Sequence, residues 1–238
     1  IDFKSLVLRK TTIEKIRQIS PSTKIIFFSE DDMSRYHNNS IYFLKAIKNY
    51  DCVFFSLKKH LAETMLRLGA KKSYFQYKSF DETLCKKINL NKSEFDRYKS
   101  DVTFVGTFEK QRAETILRLA TKGIKINVWG NGWSGWKNKH NNLIVKDMPI
   151  YGNEWVKVIN ASKINLNFLR KLNDDLHTSR SVDIPACGAF MLAERTVDHK
   201  HLFTEGKEAE FFDNEKELET KIKFYLKNDE IRNNIAQQ

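Results

Sequence analysis

The most constraining feature of this chain is a repeated pairing of a short apolar run with a longer stretch whose apolar residues recur at helical spacing. Asp101 to Gly106 is an apolar run ending in glycine, and Lys110 to Thr121 follows with helical periodicity and is closed by Gly123. Lys125 to Trp129 is the next run and ends at Gly130. A strand that is apolar throughout, followed by an amphipathic helix, belongs to a parallel sheet covered by helices on its faces. The pattern therefore predicts an α/β fold.

Read along its length, the chain predicts a strand over Phe3 to Leu8, a helix over Thr11 to Gln18 and a strand over Lys24 to Phe28. A helix over Ser40 to Asn49, a strand over Cys52 to Ser56 and a helix over Leu57 to Leu68, stopped by Gly69, follow. Lys86 to Ser100 is polar and lysine-rich, with few apolar anchors, and marks a boundary between domains 1–99 and 100–238. Beyond it the second Rossmann-like unit continues with helices over Glu154 to Ala161, Ser179 to Ala186 and Glu215 to Lys227, and strands over Ile164 to Phe168 and Ala189 to Ala193. At 238 residues two domains of ordinary size are expected.

Composition narrows the classes of function. No run approaches the roughly 18 apolar residues of a membrane-spanning helix, and the charged start of the chain is not a secretory signal. Cys52, Cys85 and Cys187 are scattered and odd in number, which points away from a disulfide framework and from a zinc site, and towards a reducing, cytoplasmic compartment. The net charge of +11 is uneven: residues 1–100 hold 20 Lys and Arg against 11 Asp and Glu, and residues 101–238 hold 21 against 19. Such a field attracts a phosphorylated substrate, an anionic membrane surface or nucleic acid. The basic doublets lack the aromatic interleaving of a nucleic-acid module, so no nucleic-acid partner is expected. His199 and His201 lack a second ligand pair, and no metal is expected.

In open α/β sheets ligands bind beyond the carboxyl ends of the strands, so polar residues directly after predicted strands are the candidates. Gly106 and Thr107 follow one strand, where glycine lets the backbone approach a ligand, and Arg112 lies just inside the next helix, suited to a diphosphate. Asn131 and Trp133 lie in a glycine- and tryptophan-rich loop after another strand, where an indole can flank a base or sugar ring. Packing in the core explains Trp133 equally well. Asp31 and Asp32 end a strand in the first part, suited to a catalytic base or to an acceptor hydroxyl, and also to a helix cap. The densest segment runs from Asp175 to Gly188: an acid, the hydroxyl-rich helix start Thr178-Ser179-Arg180, a second acid at Asp183, and a closing glycine. A capped helix with solvated charges explains each of these residues singly, whereas a diphosphate at Arg180 with a ribose on Asp183 explains them together.

That segment resembles the carboxyl-terminal domain of GT-B glycosyltransferases, most closely the CgeB-like group. Phe104-Val-Gly-Thr107 with Arg112, Trp129-Gly-Asn-Gly-Trp133, Arg180 to Gly188, and Leu202 to Glu208 are similar to that family's signatures and fall in the same order. The resemblance covers 100–238 with more specificity than 1–99. It implies two Rossmann-like domains facing across a cleft, the first of them truncated, and transfer of a sugar from a nucleotide-diphospho-sugar to a glycan, lipid-linked or protein hydroxyl, as in polysaccharide biosynthesis. No cofactor is implied beyond the nucleotide sugar itself. Thr107, Arg112, Thr178, Ser179, Arg180 and Asp183 would hold the donor, Glu205 and Glu208 would lie near its sugar, and Asp31, Asp32 and Asp175 would serve catalysis. Asp175 and Asp183 resemble the paired glutamates of retaining enzymes, one methylene shorter. Other readings are a non-catalytic nucleotide- or carbohydrate-binding relic of the fold and, on charge alone, a nucleic-acid-binding protein. A peripheral contact with an anionic membrane fits the basic first part.

Overall fold

The computed structural model describes residues 8–35, 38–56 and 58–238. The expected strand from Phe3 falls, apart from Leu8, outside the described residues. The chain divides into two compact units, Ile1–Lys78 with Arg170–Leu176, and Ser79–Leu169 with His177–Gln238. The division falls at residue 78, well ahead of the expected boundary at 99, and the segment 170–176 belongs with the first unit.

The first unit is a parallel sheet of three strands, β1 (Ile26–Ser29), β2 (Cys52–Phe55) and β3 (Ser73–Phe75), in the order β1-β2-β3. Its helices are α1 (Lys10–Ile19), α2 (Ile41–Ala46), which continues as a 3-10 turn over Ile47–Asn49, and α3 (His60–Arg67). The Ser40 hydroxyl caps α2 by accepting from the Phe43 amide. Gly69, at φ +103°, ends the turn after α3 in a conformation that favours glycine. Phe27, Phe43, Val53, Phe55, Leu61 and Met65 form the core, with the rings of Phe27 and Phe43 4.7 Å apart. Burying each phenylalanine contributes about 2–3 kcal/mol.

The second unit is a six-stranded parallel sheet of β4 (Ser100–Val105), β5 (Ile126–Trp129), β6 (Leu143–Val145), β7 (Ser162–Asn167), β8 (Met191–Glu194) and β9 (Glu210–Phe212). Its spatial order, β6-β5-β4-β7-β8-β9, is that of the doubly wound nucleotide-binding fold, with the direction of winding reversing between β4 and β7. Side chains alternate between two cores. Val102, Phe104, Ile126, Val128, Ile164, Leu166 and Leu192 point to one face, with α5 (Lys110–Thr121), α9 (Glu215–Lys227) and α10 (Asp229–Gln237). Val105, Trp129, Met191, Ala193 and Phe211 point to the other, with α4 (Lys92–Tyr98), α6 (Gly152–Asn160) and α7 (Arg180–Ala186). The short α8 (Val197–Leu202) links β8 to β9.

The early division has a physical cause. Cys85 and Tyr98 are buried against the second core, with Leu84, Ile88 and Leu90 packed around them. The Tyr98 hydroxyl donates to Glu154, and the Ile88 amide donates to Asn160 Oδ1 at 3.1 Å. A few well-placed apolar residues in a lysine-rich stretch are enough to tie it to this sheet. Asn91 and Glu94 form a capping box at the start of α4, which sequence reading passed over.

Candidate functional site

The reversal between β4 and β7 opens the sheet beyond the carboxyl ends of those strands, and the residues there are Gly106, Thr107, Asn167 and Phe168. Gly106 has no room for a side chain: a Cβ would lie 2.7 Å from the Phe104 ring and 3.3 Å from Arg180 Nη1. Arg180, the first residue of α7, spans the reversal. Its Nε donates to Asn167 Oδ1 at 3.3 Å and its Nη2 to the Phe168 carbonyl at 3.1 Å, while its guanidinium lies over the Phe104 ring at 5.6 Å. A half-buried cation is thereby fixed where the fold places ligands. Thr178, whose hydroxyl donates to Asn167 Oδ1 at 3.2 Å, and the exposed Ser179 precede it.

The glycine–tryptophan loop takes a different role from the expected one. Trp133 is fully buried, so its indole face is closed to a base or sugar. Its Nε1 donates to the Gly106 carbonyl at 2.9 Å, and its amide donates to Asp147 Oδ1 at 2.9 Å. Gly130, at φ +144°, lets the two backbones meet, since a Cβ there would sit 2.0 Å from Gly106 O. The loop braces the turn after β4 from beneath. Asn131 remains exposed, and its carbonyl accepts from the Phe108 amide at 2.9 Å.

Arg112 is also turned inward. Its guanidinium is buried and donates to Thr107 O at 3.1 Å, Leu169 O at 3.2 Å and Glu109 Oε2 at 2.9 Å. It clips the turn after β4 to the turn after β7, and a diphosphate would have to displace these bonds to reach it. Asp183 is half-buried on α7, and its Oδ1 accepts from the Cys85 thiol at 3.7 Å. Burial pushes the Cys187 thiol, one turn further on, up to about 12, as expected of a buried sulfur that packs rather than reacts.

Glu205 and Glu208 are committed elsewhere. Glu205 accepts from Arg195 Nη2 at 2.5 Å and from Lys221 at 2.9 Å, inside a network that also draws in Asp213 and Glu217 around Arg195. Glu208 closes its own loop by accepting from the Thr204 amide at 2.6 Å.

In the first unit the acids separate into two groups. Arg170 joins Asp31 and Asp175, with Nη2 to Asp31 Oδ1 at 3.0 Å and Nε to Asp175 Oδ2 at 3.4 Å. Asp175 is buried, its Oδ1 has no hydrogen-bond partner, and burial raises its pKa in spite of the neighbouring arginine. Asp32 lies in the other group. It is buried and accepts from the Ser34 hydroxyl and amide, Arg35 and Lys58, and the hydrogen bonds from Ser34 and the charge of Lys58 hold its pKa below the ordinary value against burial. This is a structural ion pair and makes Asp32 a poor base. Among the described residues, no group of three or more His, Cys, Asp or Glu side chains is placed to hold a metal ion.

Sequence reading passed over Asn167, Ser181 and the buried role of His199. The available signal was the polar pair Asn165 and Asn167 in a strand buried on both faces, where an unexplained carboxamide needs partners.

Residues 110–238, more than half of the chain, match the family model described as glycosyl transferase-like. The chain belongs to this glycosyl transferase-like family. The matched span holds the carboxyl part of the six-stranded unit, from α5 through Arg180 and α7 to α10. No curated protein matches the chain. Among solved structures, Anabaena HepE in complex with UDP-glucose is 11% identical with a TM-score of 0.67, over 96% of this chain and 70% of that one. Sucrose-phosphate synthase from Thermosynechococcus elongatus is 9% identical with a TM-score of 0.64, over 96% and 65%. An alpha-glucosyltransferase in complex with UDP-glucose and DNA containing an abasic site is 12% identical with a TM-score of 0.63, over 97% and 71%. At these identities the likeness is one of fold, the GT-B fold of parallel α/β units. No helix among the described residues is long and apolar enough to cross a membrane.

Proposed function

We propose that this glycosyl transferase-like chain moves a sugar from a nucleoside-diphospho-sugar to an acceptor hydroxyl. The observation that carries the reading is Arg180, held as a fixed cation beyond the ends of β4 and β7 and packed against the glycine turn at Gly106. A cation already oriented before the ligand arrives stabilises the departing diphosphate with little reorganisation. Thr107, Thr178 and Ser179 line the same turns, Asp183 takes the ribose hydroxyls, and Asn131 flanks the base or sugar. Arg112 and Trp133 shape this site from behind.

On the first unit, Asp175 is the better acid–base candidate. Arg170 bonds both acids, but Asp175 is a buried carboxyl with a raised pKa whose Oδ1 has no hydrogen-bond partner and can take up a proton from an acceptor hydroxyl, whereas Asp31 Oδ1 also accepts from Asn173. The arginine-based site favours transfer that needs no metal and no other cofactor. Membership of the CgeB-like group, a glycan or lipid-linked acceptor, and a cytoplasmic site of action at an anionic membrane surface complete the reading; the basic excess in residues 1–100 supports the last of these.

The test is calorimetric titration with UDP, GDP, TDP and CDP, with and without EDTA. Selective, EDTA-insensitive binding of one nucleotide is expected. A folded protein that binds none of them overturns the reading.

A further inference from the structure

The buried polar groups behind Arg180 form a string in which the direction of every hydrogen bond is fixed. It begins at the Glu194 carbonyl, which can only accept, so His199 Nδ1, 2.6 Å away, carries the proton. The neutral ring then presents a lone pair at Nε2, and the Ser181 hydroxyl, 2.7 Å away, donates to it. Having donated, Ser181 Oγ can only accept, and it takes the Thr178 amide at 2.9 Å and Asn167 Nδ2 at 3.0 Å. The Asn167 carboxamide is thus locked with its NH2 towards Ser181 and its oxygen outward, and that oxygen receives Arg180 Nε and the Thr178 hydroxyl. Asn167, Ser181 and His199 are all fully buried. Reversing the amide would oppose NH2 to the Arg180 Nε–H and the Asn167 oxygen to Ser181 Oγ, which has already spent its proton on His199.

We infer that Asn167 is a positioning residue for Arg180, its carboxamide oriented by His199 through Ser181, and that this string sets the preference of the site for a nucleoside diphosphate over the monophosphate. This rests on the reading of Arg180 as the diphosphate contact. Arg180 also donates from Nη2 to the Phe168 carbonyl and lies over the Phe104 ring, so loss of Asn167 Oδ1 removes the bond that orients its Nε side.

The test compares UDP with UMP, GDP with GMP, TDP with TMP and CDP with CMP, by calorimetric titration of the whole chain and its variants. Asn167→Leu keeps the volume of the side chain and cannot accept; Asn167→Ser keeps a polar group too short to reach. Both variants should lose about tenfold in affinity for the diphosphate, the size of one lost charge-assisted hydrogen bond, and keep the affinity for the monophosphate. Arg180→Ala should lose the same discrimination, and Asn167→Leu added to it should cost nothing more. A purely structural role would weaken both nucleotides alike. Equal weakening, or undiminished discrimination in a folded Asn167 variant, overturns the inference while leaving the proposed function standing. A folded wild type that binds none of UDP, GDP, TDP and CDP overturns the proposed function, and this inference with it.

Discussion

Single residues in this chain carry two sharply different burdens, close approach and buried charge. Gly130 lies at φ +144° with Gly106 O where a Cβ would be, so no rotation of a flexible group can relieve the contact. Gly130→Ala should destabilise the protein by about 3 kcal/mol or more, seen as a lower urea midpoint; an unchanged midpoint would show that the two turns can part. His199 makes the opposite case. Burial holds its pKa down to about 4, with His177 adding to the effect and Asp198 opposing it. The unfolded chain takes up the proton near the ordinary value of about 6.5, so the folded state is fully favoured above that pH and loses stability as pH falls towards 4. The loss should reach roughly 3 kcal/mol. His199→Gln should flatten the dependence of the urea midpoint between pH 6.5 and 4, and an equally steep dependence would place the effect in other groups.

At the scale of elements, Arg195 joins the end of β8 to the loop at Glu205 and to the start of α9 through Asp213 and Glu217. The Glu217 pKa is pulled down to about 2, first by its hydrogen bond from Arg195. Its contribution is present above the ordinary carboxylate range and is lost as pH falls towards 2. Arg195→Ala leaves three carboxylates facing one another and should destabilise the unit by about 2–3 kcal/mol, with the protection of α9 amides in hydrogen exchange reduced first. Unchanged exchange in α9 would show that α9 is held by its apolar face alone.

The regular elements were the legible part of the sequence. The helices at Lys110–Thr121 and Glu215–Lys227 fall at the expected residues, because their apolar positions recur over several turns. The elements passed over, β3, α4, β6, α8, β9 and α10, are mostly short, and they depend on partners far along the chain. Tyr98, for example, is buried because distant residues such as Trp129 pack against it and α6 brings Glu154 to its hydroxyl. The candidate site was legible as a set of residues but not as a set of roles. Nothing local in Trp129-Gly-Asn-Gly-Trp133 tells whether the last indole faces a ligand or Gly106 O, and nothing local in Arg112 or Asp32 shows that their partners lie at Leu169 and Lys58. For Asn167 the sequence signals only a carboxamide in a buried strand that needs partners; its role comes from four contacts at other positions.

For the whole molecule, the six-stranded unit carries every residue assigned to the donor, and the excess of positive charge lies in residues 1–100. Nucleotide binding at fixed, partly buried groups should therefore depend weakly on salt, in contrast to the steep dependence of charge-driven binding to a polyanion. The most direct measurement is a calorimetric titration of the preferred nucleoside diphosphate into the wild type, Arg180→Ala and Asp183→Ala, at low and physiological salt. Saturable binding that is weakened at least about tenfold in both variants, and that changes little with salt, is the expected result. Binding of equal strength in the wild type and both folded variants would contradict the placement of the donor beyond β4 and β7.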